Sequence, residues 1–147
     1  MDSDLQIREA GPDDAPAIVA LVQELAATGG WHSPVTEEYA RSYVAAPSCG
    51  VLLAEEAGRV CGLLSYSMRP NLFHAGDTAL VEELVVHRPD RGRGVGHALM
   101  DAFLQGMRAR GCIEVSVSTM PDNERARAFY RAHGFEDEAL FLERHLV

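Results

Sequence analysis

The fold class this chain predicts is a mixed α/β sheet of six or seven mostly antiparallel strands with a parallel central pair, flanked by about four helices. Apolar strand-like segments at the front stand close enough together to pair as hairpins. A further strand then runs through a glycine-rich turn into a long amphipathic helix and on to another alternating strand, the pattern of two parallel strands joined by a helical crossover. The length, 147 residues and 16.0 kDa, fits one domain over residues 1–147, with room for helices on both faces of the sheet.

Leu5 and Ile7 alternate with Gln6 and Arg8 in a short strand that Gly11, Pro12 and Asp13 end. Asp13 or Asp14 caps a helix with Ile18, Leu21, Val22 and Leu25 on one face, and Gly29 and Gly30 stop it. A loop carries Trp31 to Val35, and a shorter helix follows over about 36–44 until Pro47 and Gly50 break the chain. Residues 49–55 and 59–68 read as two strands joined across Glu56, Ala57 and Gly58, a hairpin because glycine admits positive φ. Residues 70–77 form a longer loop, 79–87 the fourth strand, and about 94–110 a helix that Gly111 ends. Ile113, Val115 and Val117 alternate with Glu114, Ser116 and Ser118 in a fifth strand. The last helix starts near Pro121 to Asn123, carries Ala126, Phe129, Tyr130 and His133 along one side, and stops at Gly134. From Phe135 onward, with Leu140 to Leu146, one or two final strands are expected to close the sheet.

A formal net charge of -9 and a pI near 5.0 argue against general binding to nucleic acid or anionic membranes and favour a cationic substrate. Cys49, Cys61 and Cys112 are odd in number, far apart and without a CxxC pair, so neither a disulfide framework nor a metal site is predicted. The acidic start, Met-Asp-Ser-Asp, lacks the basic and apolar regions of a signal peptide, and no apolar run approaches the about 20 residues of a membrane span. A cytoplasmic location is expected.

The residues that carry chemistry begin at Arg91-Gly92-Arg93-Gly94-Val95-Gly96, between the fourth strand and its helix. Glycines there let a ligand approach the backbone, and the unpaired amides of the first helical turn point outward. The helix dipole adds roughly half a positive charge, and Arg91 and Arg93 can pair with a diphosphate. No Gly-Lys-Ser/Thr follows, and the spacing is not that of a dinucleotide fingerprint. The hexapeptide resembles the acetyl-CoA loop of the GNAT-type N-acetyltransferase superfamily, Gln/Arg-x-x-Gly-x-Gly/Ala, with Arg91, Gly94 and Gly96 at the matching positions. A second block of that superfamily is resembled by Asn123-x-x-Ala126-x-x-Phe129-Tyr130-x-x-x-Gly134-Phe135.

The resemblance implies a GNAT-like fold, acetyl-CoA as cosubstrate without a metal, and transfer of acetyl to an amine. It implies that the amides from Arg91 through Gly92, Arg93, Gly94 and Val95 to Gly96 bind the pyrophosphate. The stretch Leu84-Val85-Val86 would bond the pantetheine through the backbone of Leu84 and Val86, which requires the fourth and fifth strands to splay apart. Asn123 would contact the pantetheine arm and Tyr130 would protonate the departing thiolate. The family commonly places its base on the fourth strand. Period-two alternation puts Glu82 on one face with Leu84 and Val86, making it the first choice, and a bulge would reverse the parity in favour of Glu83. Trp31, Tyr39 and Tyr43 either wall the acceptor pocket or pack on the sheet. The acceptor stays open among small-molecule primary amines, aminoglycosides, and protein N-termini or lysines, although Leu72-Phe73-His74 with Glu82 to Val86 is locally similar to aminoalkylphosphonate acetyltransferases. A non-catalytic acyl-CoA sensor on the same fold is the rival reading, and a homodimer is what the family implies.

Overall fold

A computed structural model describes residues 4–147. Its elements, in chain order, are β1 (Gln6–Glu9), α1 (Ala15–Thr28), α2 (Glu37–Ala45), β2 (Cys49–Glu56), β3 (Arg59–Asn71), β4 (Gly76–Val86), α3 (Val95–Ala109), β5 (Glu114–Val117) and α4 (Glu124–Ala132). Two 3-10 turns, Pro12–Asp14 and Arg88–Asp90, lead into α1 and toward α3. The strands form one sheet in sequence order, antiparallel from β1 to β4 and parallel between β4 and β5.

Alternation along the central strands divides the core between the two faces. On one face Leu52, Ala54, Leu64, Tyr66, Ala79 and Val81 meet Val95, Leu99, Met100, Phe103 and Met107 of α3, and Phe129 and Tyr130 of α4 pack at its margin. On the other, Val51, Leu53, Leu63 and Val85 meet Ala15, Ile18 and Leu21 of α1 and Ala40 of α2. Gly50 makes the first arrangement geometrically feasible. A Cβ there would lie 2.3 Å from the Tyr66 ring, which occupies the space above the β2 backbone.

The strand count differs from expectation: the described residues hold five strands, and the closing strands over Leu140 to Leu146 do not form. Leu140, Leu142 and Leu146 are exposed. A closing strand needs an edge to pair with, and β5 offers one of only four residues. The β3–β4 hairpin is also longer than its sequence predicts. In place of a loop over 70–77, the ladder continues to Asn71↔Gly76, and the turn is closed by the Ala75 amide on Leu72 O at 3.1 Å and by Asn71 Oδ1 accepting the His74 amide at 3.0 Å. Thr36 caps α2 through its side chain, one residue before the helix begins.

Candidate active site

Two departures from regular sheet geometry build the site. The first is an unpaired strand edge. β4 pairs with β5 only from Thr78↔Glu114 to Val81↔Val117, whereas β4 runs on to Val86. The His87 amide donates to Cys61 O of β3 at 2.8 Å, so alternation turns the backbone of Leu84 and Val86 toward the side where β5 has ended. That edge can receive an extended ligand. The Val86 carbonyl already accepts from Arg91 Nε at 2.9 Å, so part of its capacity is committed within the protein.

The second departure is a bulge. Ser65 faces Glu83 and Tyr66 faces Val81, leaving Glu82 as the extra residue. Parity reverses across it: Ala79 and Val81 before it, and Leu84 and Val86 after it, all pack on the α3 face. Glu82 therefore does not share a face with Leu84 and Val86, and the alternation argument that favoured it fails at this bulge. Instead both carboxylates stand beside the serines of β3 that share the α1/α2 face with Leu63. Ser67 Oγ donates to Glu82 at 2.7 Å, while Ser65 Oγ donates to the Glu83 carboxylate and accepts the Glu83 amide at 3.0 Å. Glu82 is exposed and Glu83 partly buried. Burial pushes the Glu83 carboxyl above the ordinary carboxylate range; the Ser65 bond opposes the rise and the Glu82 charge adds to it.

Tyr43 of α2 closes this side, its hydroxyl donating to Tyr66 O at 2.9 Å. Burial first, then the nearby charges of Cys49, Glu83 and Glu82, hold that phenol protonated well above its ordinary value. Of the three aromatics weighed as a wall, Tyr43 alone is drawn in; Trp31 is 78% and Tyr39 64% exposed. The strand alternation of Ser65 and Ser67 with Leu64, Tyr66 and Met68 is a signal in the sequence that could have marked these serines.

At the end of β4 the cradle divides into amides that are used and amides that are open. The Arg91 amide closes the 3-10 turn on Arg88 O at 3.2 Å, so it is already engaged among the amides that the resemblance assigned to the pyrophosphate. Positive φ at Gly92 (79°) and Gly94 (84°) then reverses the chain, a conformation in which successive amides make a nest for an anion. The first intrahelical bond of α3 runs from Ala98 to Gly94 at 3.0 Å, leaving the amides of Val95, Gly96 and His97 at the helix start. Gly96 serves differently from its neighbours: a Cβ there would sit in ordinary contact, 3.6 Å from Phe129.

The arginines are also not idle. Arg93 bonds both Glu56 oxygens at 2.7 Å and Asp90 at 3.1 Å, and Arg59 grips the same buried Asp90 through two bonds of 3.0 Å. The Arg59 bonds, against the cost of burial, hold Asp90 below its ordinary value. Arg93 thus braces the loop from behind. Asn123 caps α4, its Oδ1 accepting the Ala126 amide at 3.1 Å, which leaves its side-chain amide donors for other partners. Tyr130 stands edge-on to Phe129 and Phe135 at 5.5 and 5.9 Å, and burial raises its phenol, keeping it a proton donor. The site thus has an open strand edge, an anion nest at one end, a phenol on one face and two carboxylates on the other.

A family model described as the acetyltransferase (GNAT) family matches residues 18–135. Among curated proteins, the aminoalkylphosphonate N-acetyltransferase of Salmonella typhimurium is 28% identical over 131 residues, covering 89% of this chain and 84% of that protein. Glucosamine 6-phosphate N-acetyltransferase 1 of Oryza sativa subsp. japonica is 28% identical over 133 residues, covering 90% and 70%. Among solved structures, an aminoglycoside acetyltransferase from an uncultured soil metagenomic sample superposes with a TM-score of 0.86 over 98% of this chain and 97% of that one. At 20% identity that last likeness is one of fold.

Proposed function

The chain belongs to the GNAT acetyltransferase family, and from that premise we propose that it moves an acetyl group from acetyl-CoA directly to a primary amine of a small molecule. The observation that carries this reading is the open edge of β4 beyond Val81, with amides at one end and protonatable groups on both faces. The fit to the cosubstrate is physical. A pantetheine arm is an amide chain able to bond a strand edge, and a pyrophosphate suits the open amides of Gly92 to His97.

Acetyl-CoA supplies the thioester whose acetyl group is transferred. Leu84 and Val86 hold the arm through their outward backbone groups, with Asn123 as a side-chain donor. An ammonium cannot attack a carbonyl, so a base must first take its proton. By the criterion of parity the base is Glu83: burial raises its proton affinity above that of an ordinary carboxylate, and Ser65 fixes the carboxylate. Glu82 beside it receives the positive charge of the incoming amine. On the opposite face Tyr130 gives its proton at sulfur as the carbon–sulfur bond breaks. The names of the two curated relatives support a small-molecule acceptor.

The test is turnover. Aminoalkylphosphonates, amino-sugar phosphates, aminoglycosides, linear diamines and a peptide N-terminus are each incubated with acetyl-CoA, and free thiol is measured. Release of thiol with a small amine is expected. Tight acetyl-CoA binding without thiol release on any acceptor would convert the reading to that of a sensor, and reaction with the peptide alone would move the acceptor class.

A further inference from the structure

Glu24 lies on α1, on the face of the sheet opposite α3. Its carboxylate reaches 63 and more positions along the chain to the start of the cradle. Oε1 accepts from His87 Nδ1 at 2.7 Å, while Oε2 accepts the Arg88 amide at 2.7 Å and stands 3.4 Å from Arg91 Nη2. The turn Arg88–Asp90 receives no cap from its own N-cap residue, His87. Glu24 therefore supplies from a different element the acceptor that a capping side chain ordinarily supplies locally. Arg91 is fixed from a second direction by the bond to Val86 O at 2.9 Å. Burial alone would raise the Glu24 carboxyl, but the bonds from His87 and the Arg88 amide outweigh it and leave the group below the ordinary range, ionised at neutral pH.

We propose that Glu24 is a positioning residue for acetyl-CoA: it clamps the exit of β4, the turn behind it and the Arg91 guanidinium, so that the nest is formed before the diphosphate arrives. An ordered loop has less conformational entropy to lose on binding, so the clamp acts on affinity rather than on the chemical step. The competing possibility is that Glu24 holds Arg91 away from the diphosphate, which would make its removal favourable. This inference rests on the reading of the site as one for acetyl-CoA.

Glu24→Gln keeps the shape and one oxygen acceptor but loses the charge. Calorimetry on the variant is expected to give an acetyl-CoA affinity about tenfold lower, and steady-state kinetics a KM for acetyl-CoA raised to match with kcat within about twofold. Hydrogen exchange on the ligand-free protein is expected to show faster exchange over residues 87–94, with the melting temperature within a few degrees of the parent. Should the Gln variant melt far lower, Glu24→Asp, which keeps the charge, takes its place and is expected to show the smaller loss of affinity. Unchanged or tighter acetyl-CoA binding in the folded variant, or unchanged exchange over 87–94, overturns the clamp alone. A parent that binds no acetyl-CoA overturns the reading of the site and the clamp with it.

Discussion

Glu82 and Glu83 are chain neighbours with opposite surroundings, one exposed and one drawn against Ser65, and that difference separates their roles in the proposed transfer. Because the folded state raises the Glu83 pKa above its ordinary 4.5, the protonated form is favoured by folding. That contribution is present below the ordinary value and is lost as pH rises through the raised one. Glu83→Gln is therefore expected to melt at or above the parent at neutral pH while slowing transfer by roughly 10² to 10³-fold. Activity should recover in part at high pH, where the amine sheds its own proton. A variant of lowered melting temperature whose loss is the same at every pH would make Glu83 structural, and the same rescue appearing in Glu82→Gln would pass the role to that residue. Tyr130→Phe keeps the edge-on contacts with Phe129 and Phe135 and removes only the hydroxyl. Its expected loss is in kcat, about 10²-fold, with the KM for acetyl-CoA nearly unchanged. Full kcat in the Phe variant would reduce Tyr130 to an aromatic of the α3–α4 interface.

Among the elements, the turn from β4 into α3 carries the finest distinctions. Gly94 needs its glycine for conformation, since φ is 84° and nothing lies within 4 Å of its absent Cβ. Gly96 is helical and has room for a methyl. Gly94→Ala is therefore expected to cost about 1 kcal/mol of stability and roughly fivefold in acetyl-CoA affinity, whereas Gly96→Ala should keep both near the parent. Thermal melts and calorimetry on the pair decide it; equal behaviour of the two would mean that the turn owes nothing to positive φ. These elements were legible in the sequence where their cause is local. Apolar periodicity marks α1 and α3, the Glu56-Ala57-Gly58 turn marks the first hairpin, and Thr36 and Asn123 mark helix starts. Of the candidate site, the glycine loop and Tyr130 were legible as candidates through their motif positions. The bulge at Glu82 was not, because it arises from the register between β3 and β4, and one extra residue inverts every assignment made by alternation. Nor was the bracing of the loop: Glu24 and His87, and Arg59 and Asp90, meet through tertiary folding across 63 and 31 positions, and no local pattern announces such pairs. The expected final strands had suitable residues in Leu140 to Leu146 but no sufficient edge in β5 to receive them.

Across the whole molecule, the charges are segregated in a way that bears on acceptor choice. The net charge is -9, yet the arginines at 91 and 93 beside the nest are met by Glu24, Glu56 and Asp90, so the basic character of the cradle is largely balanced inside the protein. On the opposite face of the sheet from α3 the exposed Glu82 and the partly buried Glu83 stand with serines and Tyr43, and no ion pair with a basic side chain joins either carboxylate among the described residues. A cationic acceptor approaching that face meets an attractive field at long range and two carboxylates at short range. The consequence is a salt dependence that differs with acceptor charge. At saturating acetyl-CoA, raising ionic strength from about 0.05 to about 0.5 M shortens the screening length severalfold below the dimensions of the face. For a diamine kcat/KM is expected to fall several-fold, for a monoamine of the same length less than about twofold, and kcat for either should hold, because screening acts on encounter and binding rather than on transfer within the complex. Replacing Glu82 by Gln should remove most of the difference between the two acceptors and, by taking away a charge that helps raise Glu83, should move the Glu83-dependent pH profile toward lower pH. Equal salt dependence of the two amines would mean that the acidic face does not read acceptor charge, and a stronger effect on kcat than on kcat/KM would move the charge sensitivity from capture to the transfer itself.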